Sequence, residues 1–224
     1  MLRTGMSVVI LALTCGSLFA GTVTVYTPNA GDAQYAWNTK YGSYGYTTGA
    51  NSVGIYLYFG APYGNDHTVS IFEVPISSLA GQTVTGASLV VESLGFGTNY
   101  YYGSASIGWL DVGSKVLTGD VVTDGLGPDS MSLPGGLTIY HSDTVPGTAG
   151  GKTFDVLSYV QSDLAAGRAF STFVMSGSRE TWGSIYTAES GSGPRIIATT
   201  VPEPASLGLL AFGALGILAR RMKQ

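Results

Sequence analysis

Between Thr22 and Thr199 apolar residues recur at every second position in short runs, a period that sets one face of a β-strand against the other. Thr22-Val23-Thr24-Val25-Tyr26 alternates polar and apolar. Val53, Ile55, Leu57 and Phe59 share one face opposite Tyr56 and Tyr58, and Ala87, Leu89 and Val91 repeat the pattern. Further runs are Thr68–Val74, Ser104–Val112, Leu137–His141, Phe170–Met175, Gly183–Ala188 and Arg195–Thr200. Clusters of Gly, Pro, Asn and Asp separate them, as turns require. Many short strands between turn signals predict an all-β fold, an antiparallel, jelly-roll-like β-sandwich.

One segment departs from this period. Val156, Val160 and Leu164 recur every fourth residue from Phe154 to Gly167, with Leu157 on the same stripe. Asp155 stands where an N-cap is expected and Gly167 where a helix closes, so the segment predicts one short amphipathic helix over an end of the sandwich. Gly119–Gly136 reads as the longest loop.

Charge narrows the function classes. Residues 21–201 hold 6 basic and 13 acidic side chains, a formal charge of −7. Nucleic-acid binding depends on Lys and Arg neutralising phosphates, so nucleic acid is excluded as a partner. A cation or a neutral glycan suits the balance. Charged residues make up 11% of the chain, against about a quarter in an average soluble protein, while Gly and Tyr are abundant. This is the profile of secreted β-rich proteins. The single Cys15 lies in the apolar N-terminal run, so a chain cut after Ala20 has no thiol for disulfides, catalysis or zinc.

The two ends read as processing segments. Residues 1–20 carry Arg3, an apolar run from Val8 to Leu13 and small residues before a cut after Ala20, which predicts a signal peptide for signal peptidase. Thr14 before Cys15 does not fit a lipoprotein box. The domain then runs over 21–200 and a tail over 201–224. In the tail Pro202-Glu203-Pro204 precedes Ala205 to Ala219, which hold no charge, and Arg220-Arg221-Met222-Lys223-Gln224 ends the chain. The prolines block helix, so an apolar helix over 205–219 begins after them. Its length is about 22 Å, short of the ~30 Å hydrocarbon core, and Arg220 and Arg221 hold the end on the cytoplasmic side.

Pro-Glu-Pro, an apolar helix and a basic end, in that order at the C-terminus, resemble the PEP-CTERM sorting signal of Gram-negative bacteria. The resemblance implies that Pro202, Glu203, Pro204, Arg220 and Arg221 are recognition residues for exosortase. It also implies that the helix holds the protein transiently in the inner membrane, and that the tail is removed on the way to the cell surface. A second resemblance rests on three blocks. Val69-Ser70-Ile71-Phe72-Glu73-Val74-Pro75 with Leu79 to Leu89 is the first, and Phe154 to Gln161 with Phe173-Val174-Met175 is the second. Ile185 to Ser190 with Pro194-Arg195-Ile196 is the third. Their order resembles the DNRLRE family of secreted β-sandwich domains, which implies a carbohydrate-module-like sandwich without enzymatic activity. The opening Asp-x-Tyr pattern of that family is shifted here (Asp32, Tyr35).

The candidate chemistry is sparse. His67 and His141 are the histidines and no G-x-S-x-G elbow occurs, which argues against a serine hydrolase. Glu73, Glu92, Asp111, Glu180 and Glu189 are the carboxylates from which a glycosidase pair would come. Tyr100, Tyr101, Tyr102 and Trp109 are candidate sugar-stacking aromatics, since three successive strand residues cannot all face inward. Trp37, Tyr41, Tyr44, Tyr46 and Trp182 belong to the same aromatic inventory. Asp120, Asp124 and Asp129 share one loop and are candidate calcium ligands; no other cofactor is expected. The sequence therefore predicts a non-catalytic surface or matrix protein that binds glycan or serves a biofilm exopolysaccharide. Two alternatives stand beside it: a structural or adhesion protein without a ligand, and a small secreted hydrolase. An exposed aromatic row favours the first, a long uncovered edge strand the second and a cleft with facing carboxylates the third.

Overall fold

The computed structural model describes residues 20–38, 44–49, 52–60, 64–98, 105–126, 149–177 and 181–202. The alternating runs form strands. They are β1 (Gly21–Tyr26), β2 (Asp32–Asn38), β3 (Tyr44–Thr47), β4 (Ser52–Gly60), β5 (Gly64–Pro75), β6 (Gln82–Thr98), β7 (Ala105–Trp109), β8 (Gly150–Asp155), β9 (Phe170–Gly177), β10 (Thr181–Tyr186) and β11 (Arg195–Pro202). Every pairing is antiparallel. In one layer β6 takes β11, β8 and β10 as partners, with β1 on the outer edge of β11. In the other β5 pairs β2 and β9, which carry β3 and β7. The β4 strand pairs with both β10 and β5, so the ladder folds over into a two-layer sandwich.

Phe72, Val74, Phe173 and Met175 from one layer meet Ala87, Leu89, Val91, Ile185 and Ile196 from the other, forming the main core. The Phe72 and Phe173 rings stack at 6.1 Å. Burying each such ring contributes roughly 1.5–3 kcal/mol. The helix, α1 (Leu157–Ala165), closes one side of this core through Val160, Leu157 and Leu164. Gly167 stands at φ +71° and its N–H donates to the Leu164 carbonyl, ending the helix as expected. The helix starts later than Phe154 because β8 runs to Asp155, which pairs with Ser88. Asp155 still helps the start, its Oδ1 accepting the Leu157 N–H at 3.0 Å.

A second apolar cluster lies on the opposite face of β2, β5 and β9. Ala33, Tyr35, Val69, Ile71 and Val174 are covered there by Leu110, Leu117, Val121 and Leu126 from the segment after β7. That segment spans 110–126 and is pinned by backbone bonds from Leu110 to Thr172 and from Val121 to Ala30. From Val69 to Val74 strand β5 is therefore buried on both faces. No helix among the described residues is long and apolar enough to cross a membrane. The expected signal peptide and the expected helix over 205–219 lie outside the described residues, as does the run Leu137–His141.

Candidate functional site

Three groups of polar side chains are built into the sandwich, and the C-terminal strand leads into the tail. The first group fastens α1. Asp163 is buried and accepts Trp109 Nε1 at 2.9 Å, Ser171 Oγ at 2.6 Å and Arg168 Nη1 at 2.6 Å. Burial pushes its carboxyl up, and these three donors draw it back. Arg168 also donates to Asp111 Oδ1 and to the Gly113 carbonyl. Tyr159 stacks on the Trp109 ring at 5.3 Å. Trp109 is 7% exposed, so its ring serves the interior and offers no face to a sugar, contrary to the aromatic-row expectation. A strand tryptophan packs inward when a buried acceptor can take its N–H, and Asp163 supplies that acceptor. Asp163 was invisible in the sequence because its donors come from 5, 8 and 54 residues away.

The second group joins the start of β2 to the turn Ala188–Ser190. Asp32 is buried; its Oδ2 accepts the Ala188 N–H at 2.8 Å and its Oδ1 has no hydrogen-bond partner. Burial pushes the Asp32 carboxyl up to about 7, the Ala188 N–H opposes this, and the Glu189 charge adds to it. Gly193 lets the chain close over this turn, since a Cβ there would sit 2.6 Å from the Ala188 nitrogen.

The third group lies under the 110–126 segment. Asp120 accepts the Val122 and Thr123 N–H groups and the Thr123 hydroxyl, which commits it to its own turn. Asp124 is buried and accepts both the N–H and the hydroxyl of Thr118, at 2.8 and 3.0 Å. Asp129 lies outside the described residues. The three aspartates are thus not brought together by the described part of the loop; Asp124 instead faces Glu73 of β5. Glu73 is fully buried and neither of its carboxylate oxygens has a hydrogen-bond partner. Burial first, then the charge and close approach of the Asp124 carboxyl, then the charge of Asp120, push its carboxyl up to about 8, while the Gly119 N–H, near it but outside hydrogen-bond geometry, draws it back. No group of three or more His, Cys, Asp or Glu side chains among the described residues is arranged to hold a metal.

Two further carboxylates sit in ion pairs. Glu92 pairs with Arg195 at 3.0 Å, and Asp111 with Arg168. A shallow depression of about 320 Å³ beside the start of α1 is lined by Asp155, Leu157, Ser158, Tyr159 and Gln161, so it has one carboxylate. Tyr100, Tyr101, Tyr102, His141 and Glu180 lie outside the described residues; His67 sits in β5 opposite Trp37 and Leu57.

The last strand carries the clearest functional feature. Thr200, Val201 and Pro202 continue the ladder of β11 against Val84, Thr83 and Gln82, after a bulge at Thr199/Thr200. The ladder thus runs two residues past the expected boundary at 200. Glu203, Pro204, Arg220 and Arg221 follow beyond the described residues. A family model for the PEP-CTERM protein-sorting motif matches residues 200–223. The chain carries a PEP-CTERM sorting motif. The motif marks a chain that is exported and sorted by exosortase to the cell surface, so exosortase is its processing partner. The match starts inside the sandwich, and the first three residues of the sorting motif are also rungs of its ladder. No curated protein matches the chain.

Proposed function

We propose that this protein is a non-catalytic glycan-binding or exopolysaccharide-associated module of the cell surface or matrix. The observation that carries the reading is the polarity of the sandwich. Gly21 of β1 pairs with Thr200 of β11, so the chain enters and leaves the domain side by side. The register puts the opposite ends of the strands together at the far end: Asn38 opposite Asp66, Gly60 opposite Gly64, Thr98 opposite Thr181 and Ala105 opposite Gly177. Strand β6 links the two ends with 17 residues, which sets them at most about 55 Å apart. Tyr100, Tyr101 and Tyr102 lie in sequence between Thr98 and Ala105, the strand ends at that far end. A tail held in the inner membrane before exosortase removes it would leave that end facing outward. Exposed aromatic rings there would stack on sugar faces.

A glycan array and polysaccharide pull-down on the protein test this reading. Binding that drops at least tenfold on Tyr101→Ala is the expected result. A folded protein that retains no polysaccharide would contradict it and leave the structural or adhesion role.

A further inference from the structure

Strand β5 presents Val69, Ile71, Glu73 and Pro75 to the face under the 110–126 segment, and β9 presents Phe170, Thr172 and Val174. In this apolar surface Glu73 and Thr172 are direct cross-strand partners. Both are buried, and three of their oxygens, Glu73 Oε1 and Oε2 and Thr172 Oγ, have no hydrogen-bond partner. Buried polar groups without partners are costly, and a buried carboxylate most of all. Asp124 faces Glu73 from the covering segment, fixed by its two bonds from Thr118. Each of its oxygens keeps a lone pair free after those bonds. A single proton between Glu73 and Asp124 would serve one of the three oxygens and leave the others bare.

The geometry points to a site for a hard divalent cation of the calcium class, held by the Glu73 and Asp124 carboxylates with the Thr172 hydroxyl, under the 110–126 segment. Calcium takes several oxygen ligands of this mixed kind, and backbone carbonyls or water complete such shells. Asp120 stays outside the set, because its own turn uses both of its oxygens, and acts only through its field. The site joins β5, β9 and the segment covering them, so the ion would clamp the cover onto the sandwich. Gly119 fits this closeness: it stands at φ +83°, and a Cβ there would lie 2.7 Å from the Phe170 ring.

The test is thermal unfolding of the full chain, stripped of metal, with and without calcium near neutral pH. Calcium should raise the midpoint by several degrees and chelator should reverse it. Glu73→Gln should weaken calcium binding at least tenfold, and Asp120→Asn should keep it within about twofold. A wild-type midpoint that ignores calcium, or a Glu73→Gln chain that still responds to it fully, overturns the proposal. If Glu73→Gln does not fold, terbium luminescence of the wild-type chain decides. Signal displaced by calcium supports the site; no terbium signal, or signal that calcium does not displace, overturns it.

Discussion

At the scale of single residues the molecule is governed by buried carboxyls and by glycines under close contact. Asp32 illustrates the first. Its carboxyl rises from an ordinary value of 3.8 to about 7, so between these values the folded protein binds the proton more tightly than the unfolded chain. Its contribution is therefore fully present below about pH 4 and is lost as pH rises towards 7. Asp32→Asn removes that loss. Denaturant titrations of both proteins from pH 4 to 8 should show the variant gaining on the wild type as pH rises, by up to about 4 kcal/mol, then levelling off. A constant difference across the range would contradict the assignment. Gly119 illustrates the second. Alanine there meets both an unfavourable φ of +83° and the Phe170 ring. Gly119→Ala should cost about 1–3 kcal/mol in equilibrium unfolding, without changing the far-ultraviolet spectrum.

At the scale of elements, α1 is held by Asp163 more than by its apolar stripe alone. Only Val160 and Asp163 of its nine residues are buried, and Asp163 reaches β7, β9 and Arg168 at once. Asp163→Ala leaves the buried Trp109 N–H and Ser171 hydroxyl without their acceptor, while Arg168 keeps Asp111 and the Gly113 carbonyl, and should cost about 2–5 kcal/mol by denaturant unfolding. A loss under 1 kcal/mol would show that packing alone seats the helix. The helix and most strands were legible because their periods of 3.6 and 2 are local. What escaped has a physical reason in each case. Strand β8 reads Gly150-Gly151-Lys152-Thr153, and only Phe154 of its six residues is buried, so it carries no alternation. In β5 both Ile71 and Phe72 are buried because the 110–126 segment covers the outer face, which blurs the alternation there. The acidic loop was legible as acidic, but its grouping was not. Asp120 and Asp124 are four residues apart, yet one closes a surface turn and the other faces Glu73, a residue 51 positions earlier in the chain. A glutamate inside the run Ile71-Phe72-Glu73-Val74 was the one local sign of that meeting.

At the scale of the whole molecule, the fold and the sorting motif share β11. The ladder ends at Pro202 and the motif begins at Thr200, so tail removal after Pro202 leaves every described rung of the sandwich in place. Loss of residues 203–224 should leave the unfolding midpoint unchanged. Loss of residues 198–224 removes rungs to β6 and β1 together with buried Ala198 and Thr200, and should lower the midpoint by about 10 °C or more. The most direct test of the account is the intact mass of the protein recovered from the surface of cells that carry exosortase, compared with cells that lack it. The account predicts a mass ending at or just after Pro202-Glu203-Pro204 in the first case, and a membrane-retained chain with its full tail in the second. A surface protein that keeps residues 205–224 in cells with active exosortase would contradict it.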